Sequence, residues 1–224
     1  MKRISNASLK AFNSFRVEAR ARQLLILETS EDLDWLAAAF RFDPGHDLVL
    51  GGGSNVLLAA DIDGTVILNN VSGATITEET TESALVEINA GQNWHDCVRW
   101  SLEQGLSGIE NLSLIPGLTG AAPIQNIGAY GVELAEVLES VEAIELQSGK
   151  RLDFSREDCD FGYRDSRFKS KDAGRYLVTR IRLRLQRHFT ARLDYAGVEA
   201  ELISMGIDKP TAKQVSEAII RIRR

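Results

Sequence analysis

The chain has 224 residues, 44% of them hydrophobic, which is long enough to bury a full core in one large domain or two smaller ones. Its 32 acidic residues outnumber its 26 basic residues and leave a net charge of -6, which argues against a nucleic-acid partner, because phosphate neutralisation needs a positive surface. A polar N-terminus and the lack of a long apolar run predict a cytoplasmic protein without a membrane partner. Cys97 and Cys159 are far apart, so we expect buried thiols and no metal site.

Strand and helix patterns alternate in the first seventy residues. Apolar runs predict strands at 23–28, 47–50 and 65–68. Between the first two, Thr29 or Ser30 can cap a helix whose apolar residues recur at helical spacing through Phe40. This order is typical of a βαβ unit. We place a soft domain boundary near residue 73.

The next part of the chain predicts a polar connection over 75–81 and a strand over 85–88. Asn93 can cap a helix with an apolar stripe that ends near Gly105. His95 lies on this helix. No second type of metal ligand stands at a suitable spacing, so we interpret His95 as a surface or satisfied core residue.

The stretch 178–185 alternates apolar residues with Arg180, Arg182 and Arg184 and predicts a half-exposed strand. Ten Lys or Arg residues and two Asp fall between 164 and 192, a reversal of the overall charge that would suit a diphosphate-bearing ligand. For the three arginines we favour edge-protecting charges on a solvated strand face.

A final helix is predicted from Thr211, which has capping-box spacing to Gln214.

Two glycine-rich loops carry the chemistry. The first, 48–57, leads from an apolar strand into three glycines followed by Ser54 and Asn55, so backbone N–H groups can point at an anion. Val56 stands where a dinucleotide fingerprint needs its third glycine, and the loop lacks the lysine of a nucleoside-triphosphate loop. A triple glycine alone fits a ligand loop and a plain turn equally well.

The second loop, 115–131, holds four glycines and two prolines with little side-chain bulk and no charge. Such a stiff, small-residue backbone suits close approach by a pyrophosphate or a flat ring. Two loops of this kind predict an extended dinucleotide clamped between them.

The two loops resemble the UDP-N-acetylenolpyruvoylglucosamine reductase family, and the similarity runs along nearly the whole chain. Shorter runs that share it are Leu9-Lys10, Asn13-Ser14-Phe15 and Phe161-Gly162-Tyr163-Arg164-Asp165-Ser166. Arg16 is a departure, since the family usually has glycine there. The resemblance implies an α+β class, with a two-domain FAD-binding fold of the vanillyl-alcohol-oxidase-like (PCMH) type. A small N-terminal α/β domain would span 1–72, and a larger α+β domain 73–224.

The resemblance also implies a reaction and its residues. NADPH would reduce bound FAD, and hydride would then pass to the enolpyruvyl double bond of UDP-N-acetylglucosamine enolpyruvate, giving UDP-N-acetylmuramate for peptidoglycan synthesis. The implied cofactor-binding residues are Gly51, Gly52, Gly53, Ser54, Asn55, Pro116, Gly117, Gly120, Ala121, Ala122, Ile127, Gly128 and Tyr130.

Within the Phe161–Ser166 run, Arg164 matches the family's catalytic arginine. In that role a guanidinium would meet the charge that builds on the substrate carboxylate. Tyr163, Tyr195 and Arg223 match positions near the UDP-sugar substrate, with Arg164 also contacting it. The plainer alternatives are a surface ion pair for Arg164, an ordinary half-buried tyrosine for Tyr195 and a solvated helix end for Arg223. The resemblance implies no obligate protein partner.

The family's proton-donating serine and assisting glutamate belong to a third domain, which follows the helix that ends this sequence, and neither has a counterpart here. We therefore expect FAD binding more strongly than turnover. Two alternatives stay open: a non-catalytic flavoprotein, and another oxidoreductase on the same scaffold such as an alcohol or lactone oxidase. The latter would need a covalent flavin link or different substrate residues, and the glycine loops contain no histidine for such a link.

Overall fold

The first sheet carries the first glycine loop. The computed structural model describes residues 1–195 and 197–224. The elements of its first part, in chain order, are β1 (Lys2–Ser8), β2 (Arg20–Leu27), α1 (Ser30–Ala39), β3 (Leu48–Leu50) and β4 (Ile62–Asn69). The strands form one sheet in the order β1-β2-β4-β3, in which β4 pairs in parallel with β2 and β3, and β1 is antiparallel to β2. The Thr29 hydroxyl accepts from the Asp32 backbone N–H and caps α1, as predicted.

The second sheet carries the second glycine loop and most of the larger core. Its elements and those that follow are β5 (Ala74–Glu79), β6 (Ser83–Asn89), α2 (Trp94–Glu103), β7 (Gly128–Ala129), β8 (Val132–Glu133), β9 (Leu138–Glu145), β10 (Arg151–Ser155), β11 (Tyr176–Gln186), α3 (Val198–Ser204) and α4 (Ala212–Arg223). The antiparallel order is β10-β9-β11-β6-β5, while β7 and β8 form a separate ribbon. Within the described residues, no helix is both long and apolar enough to cross a bilayer.

The predicted strands and helices are confirmed, but two predictions about the second sheet are wrong. The segment 75–81, expected to be a polar connection, contributes most of β5, whose backbone pairs with β6 along the sheet edge. Strand β11 is central, between β9 and β6, so its arginines do not protect an edge. The predicted domain boundary near residue 73 falls between the two sheets and stays a prediction.

The β11 arginines form cross-strand ion pairs. Arg182 reaches Asp153 at 2.6 Å and Glu87 at 3.1 Å, and Arg184 reaches Glu139 at 3.0 Å. Because β6 and β9 beside β11, and β10 beyond β9, supply carboxylates to these guanidinium groups, the positive charge is neutralised locally. These side chains therefore brace the sheet.

The two sheets share an apolar core. Leu27 and Ile67 from the first sheet pack in one buried cluster with Ile144 and Leu177 from the second, and α1 adds Leu33 and Leu36. Burying such side chains contributes about 1.5–3 kcal/mol each, so the contact fixes one sheet against the other. The loops at the ends of these strands are thereby held at a set separation.

Both thiols are free and buried, as the sequence predicts. Burial raises the pKa of Cys97 to about 12 and that of Cys159 to about 12. Since the thiolate is the reactive form, we expect neither cysteine to react with 5,5′-dithiobis(2-nitrobenzoate) at pH 8 in the native protein, and both to react in guanidinium chloride. The release of thionitrobenzoate measures this. Fast labelling of the folded chain would contradict it.

Candidate functional site

The first glycine loop turns sharply because Gly53 takes a left-handed conformation, with φ of +63°. A Cβ built on Gly53 would overlap the Phe12 carbonyl oxygen, and the Ser14 N–H donates to the Gly53 carbonyl at 2.9 Å. Arg16 closes the turn 13–16 with φ of +53°, a conformation that favours glycine, so the turn persists despite the departure from the family pattern. The loop thus rests directly on the N-terminal segment.

The second glycine loop is anchored on the turn that follows β6. The Thr119 N–H donates to Gln92 at 2.8 Å, and the Gly120 N–H donates to Ala90 at 2.8 Å. A Cβ on Gly120 would lie 2.5 Å from the Ala90 Cβ, so the close approach requires glycine. The backbone of this loop is therefore placed by the second sheet.

The two loops face each other across a narrow cleft. A Cβ built on Gly52 would lie 3.0 Å from the Gly117 Cα. Hydrogen bonds join the loops, from the Ser54 hydroxyl to the Pro116 carbonyl at 3.3 Å and from the Asn55 amide to Gln125 at 2.7 Å. The side chains missing from the glycines leave room that a ligand can use.

The cleft has a volume of about 320 Å³. It is lined by Val49, Gly51, Gly52, Gly53, Ser54, Asn55, Val56, Trp94, Ile115, Pro116, Leu118, Ala121, Ala122, Ile124, Gln125, Ile127 and Lys169. A second cleft of about 190 Å³ shares Val49, Gly51, Ala121 and Ile124 with it and extends along β11. Adjoining clefts lined by small and apolar residues suit a flat ring and a diphosphate, both of which are parts of FAD.

Arg164 lies in a tight turn beside the second loop. The Gly162 N–H donates to Asp165 at 3.0 Å, and the Asp165 N–H donates back at 3.2 Å, so Tyr163 and Arg164 occupy the tip. Arg164 has φ of +55° and its guanidinium donates to the Gly128 carbonyl. Lys169 donates to the Arg164 carbonyl at 2.7 Å. The turn therefore holds one guanidinium against the end of the glycine loop.

The structure brings most of the predicted cofactor residues together. Those that line the first cleft are Gly51, Gly52, Gly53, Ser54, Asn55, Pro116, Ala121, Ala122 and Ile127, and Gly120 lines the second. Gly117 forms the contact between the loops, and Gly128 lies under Arg164. The Tyr130 ring lies away from the cleft lining and meets the Tyr195 ring edge to face at 5.4 Å.

The residues predicted near the substrate are accessible. Tyr163 is 83% exposed and Tyr195 is 54% exposed. Arg223 is exposed on the last turn of α4. None of these three lines either cleft, so their predicted roles rest on the family resemblance alone.

Several residues that line the first cleft are outside the predicted cofactor set, and Trp94 and Lys169 are two of them. Trp94 belongs to the apolar stripe of α2 and is only 1% exposed, and its indole N–H donates to the Leu112 carbonyl at 3.0 Å. Lys169 belongs to the cationic segment 164–192, and that charge was its only signal.

His95 is a structural residue, as interpreted from the sequence. Its Nδ1 accepts from the Leu114 N–H at 3.2 Å, next to the start of the second glycine loop. Burial lowers the pKa of His95; the Asp96 carboxylate opposes this shift, while Arg99 and Arg224 act with it. The neutral ring, which can accept at Nδ1, is thus favoured at neutral pH.

This bond predicts a pH effect. Because the pKa of His95 is lower in the folded state than in the unfolded state, its contribution to stability is present above about pH 6.5 and is lost as the pH falls through the folded value. We expect H95N to flatten the loss of thermal stability between pH 7 and pH 5, measured by circular dichroism. His188 is exposed, and H188N should keep the wild-type profile. Equal profiles for all three proteins would contradict this.

Comparison with known proteins identifies the family to which this chain belongs. The family profile described as FAD binding domain matches residues 22–155, which include β2 to β10 and both glycine loops. The chain belongs to this FAD-binding family. The predicted α+β FAD-binding fold and the predicted FAD cofactor are confirmed.

Relatives of this FAD-binding chain are reductases. It is 47% identical over 98% of its length to UDP-N-acetylenolpyruvoylglucosamine reductase of Pseudomonas aeruginosa, and 49% identical over 98% to that of Azoarcus sp. (strain BH72). It spans 64% of the length of each of these relatives. The predicted homology to this reductase family is confirmed.

Solved structures share the fold. The crystal structure of UDP-N-acetylenolpyruvylglucosamine reductase from Thermus caldophilus aligns with all of this chain and 68% of its own, with a TM-score of 0.67 at 24% identity. A solvent-stable cholesterol oxidase aligns with 80% of this chain and 37% of its own, with a TM-score of 0.54 at 14% identity. The scaffold is thus found in enzymes whose names describe different substrates.

Proposed function

We propose that this chain is the FAD-holding part of an NADPH-dependent UDP-N-acetylenolpyruvoylglucosamine reductase, acting in the cytoplasm on a peptidoglycan precursor. One observation carries the proposal: the two glycine loops line one cleft, and the Arg164 guanidinium donates a hydrogen bond to the Gly128 carbonyl near the end of the second loop. The identity to named reductases along 98% of the chain supports the substrate class.

Different residues of the chain would hold different parts of FAD. The first loop offers backbone N–H groups and Ser54 to a diphosphate, while Trp94 and Ile124 give the cleft an apolar wall. When bound, FAD supplies hydride acceptance and donation. Walls of this kind keep water away from the reacting ring, which strengthens any electrostatic contact made there.

We propose that Arg164 binds the enolpyruvyl carboxylate. A guanidinium can form two parallel hydrogen bonds with a carboxylate, and these strengthen as negative charge builds during hydride addition. Its bond to the Gly128 carbonyl and the Lys169 bond to its own carbonyl restrict how it can turn. We propose that Tyr163, Tyr195 and Arg223 contact other parts of the UDP-sugar.

A spectroscopic titration tests the proposal. The purified chain is loaded with FAD, its visible spectrum is recorded, and NADPH is added with and without UDP-N-acetylglucosamine enolpyruvate. We expect bound flavin that bleaches with NADPH and a spectral change on adding the UDP-sugar. A colourless protein after loading would overturn the clamp, whereas bound flavin that ignores both reagents would indicate a non-catalytic flavoprotein.

A further inference from the structure

Asn126 joins the second glycine loop to the arginine turn. Its side chain is 1% exposed, and its backbone has φ of 42°. The amide nitrogen donates to the Gly162 carbonyl at 3.1 Å and to Glu133 Oε2 at 2.8 Å. The amide oxygen accepts from the Ala135 N–H at 3.0 Å. Each polar atom of this buried side chain therefore has a partner, which fixes its orientation.

The bond to Gly162 falls at the base of the turn that carries Arg164. The same carbonyl accepts from the Asp165 N–H at 3.2 Å, which closes the turn. Arg164 reaches in the opposite direction, from the turn to the Gly128 carbonyl of the loop. The Asn126 side chain thus bonds to the backbone of the turn, and the Arg164 side chain bonds to the backbone of the second glycine loop.

The guanidinium lies close to the backbone of the second glycine loop. A Cβ built on Gly128 would lie 3.1 Å from Arg164 Nη1, so this close approach favours glycine. Movement of the turn away from the loop would lengthen the hydrogen bond from Arg164 to the Gly128 carbonyl. The Asn126 hydrogen bond to Gly162 restrains this movement at the base of the turn.

Other bonds hold different parts of the turn. The Ser166 hydroxyl donates to the Ile124 carbonyl at 2.8 Å, and the Ser170 hydroxyl donates to Asp165 Oδ1 at 2.7 Å. Both lie on the side that follows Arg164. Asn126 is the side chain, among the described residues, that bonds to the Gly162 carbonyl before it.

We infer that Asn126 is a positioning residue, which sets the Arg164 guanidinium relative to the second glycine loop. The inference rests on the proposed function in one respect: the group positioned this way would be the substrate carboxylate. A displacement of about 1 Å from productive geometry can cost roughly 10²-fold in rate, so a single buried amide can matter here.

The test uses the isosteric change N126D, which keeps the acceptor for Ala135 and tolerates the left-handed backbone. It removes the donor to Gly162 but places two carboxylates together, so N126D/E133Q is made as well, in which the introduced amide can donate to the new carboxylate. S170A is the matched control, since it removes a bond from the exposed side of the same turn.

Two measurements follow on the FAD-loaded chain. Amide hydrogen exchange over 162–166 should quicken about tenfold in N126D and N126D/E133Q and stay unchanged in S170A. Affinity for UDP-N-acetylglucosamine enolpyruvate, read from the flavin spectrum, should fall roughly tenfold, while FAD affinity stays within about twofold. In an R164Q background, adding N126D should cause no further loss of affinity for the UDP-sugar, because Asn126 acts through Arg164.

Unchanged exchange in the turn, or losses that add in the combined variant, would overturn the role of Asn126. If wild type shows no spectral response to the UDP-sugar, the proposed function fails. The exchange measurement still decides, in that case, whether Asn126 orders the turn.

Discussion

The substitution G53A is expected to destabilise the chain by about 3 kcal/mol and to abolish FAD retention. A left-handed alanine costs roughly 1–2 kcal/mol, and forcing a methyl group into occupied space adds about 1–3 kcal/mol. At Gly53 both apply, because φ is +63° and the added Cβ overlaps the Phe12 carbonyl. Urea denaturation of the apo chain gives the stability, and retained flavin absorbance after gel filtration gives the binding.

A matched control separates the two costs. Gly206 has φ of +74°, and a Cβ there meets nothing within 4 Å. G206A should therefore lose only the roughly 1–2 kcal/mol of backbone strain and keep FAD. If G53A proved no more destabilised than G206A, the contact between the first glycine loop and the N-terminal segment would not have the importance assigned to it.

The second large effect is expected at Arg164. R164Q should slow hydride transfer from the NADPH-reduced flavin to UDP-N-acetylglucosamine enolpyruvate by roughly 10²–10³-fold, the usual loss when a charge-stabilising donor is removed. FAD binding should persist, because Arg164 does not line the FAD cleft. R164K should recover little, since an ammonium cannot form the paired bonds of a guanidinium. Single-turnover reoxidation of the NADPH-reduced flavin by the substrate measures the rate, and the flavin-detected substrate affinity gives a readout independent of hydride transfer.

R184Q is the control for charge. It removes one positive charge from β11, where Arg184 pairs with Glu139 outside the clefts, and should leave catalysis unchanged. A similar loss in R164Q and R184Q would assign the effect to net charge, and an active R164Q would remove Arg164 from the proposed chemistry.

Much of the fold was predictable because local pattern and tertiary structure agree. The apolar runs at β2, β3 and β4 predict buried parallel strands, and Thr29, Asn93 and Thr211 cap helices as expected. The sequence did not predict the strands that are held in a sheet mainly by backbone pairing with a neighbouring strand. β1 and β5 are mostly polar, and backbone pairing with β2 and β6 holds them in the sheets. Composition carries little information about such edge strands.

The site divides in the same way. The two loops were predictable from their glycines. The close backbone contacts of these loops leave no room for side chains, and the sequence shows this requirement as glycine. The roles of Trp94 and Asn126 were not predictable, since each depends on contacts between segments far apart in the chain. Likewise, the ion pairs of the β11 arginines with Glu87 and Glu139 could not be predicted from local sequence, because they depend on the order of the strands in the sheet.

The apolar cluster shared by the two sheets has a kinetic consequence for the cofactor. With Leu27 and Ile67 packed against Ile144 and Leu177, the groove cannot widen by a hinge motion without exposing core side chains. Entry and escape of FAD must then pass through local opening of the glycine loops, which are themselves joined by Ser54 and Asn55. The rate of FAD exchange would accordingly be limited by loop opening, so the flavin would behave as a resident group of the folded chain.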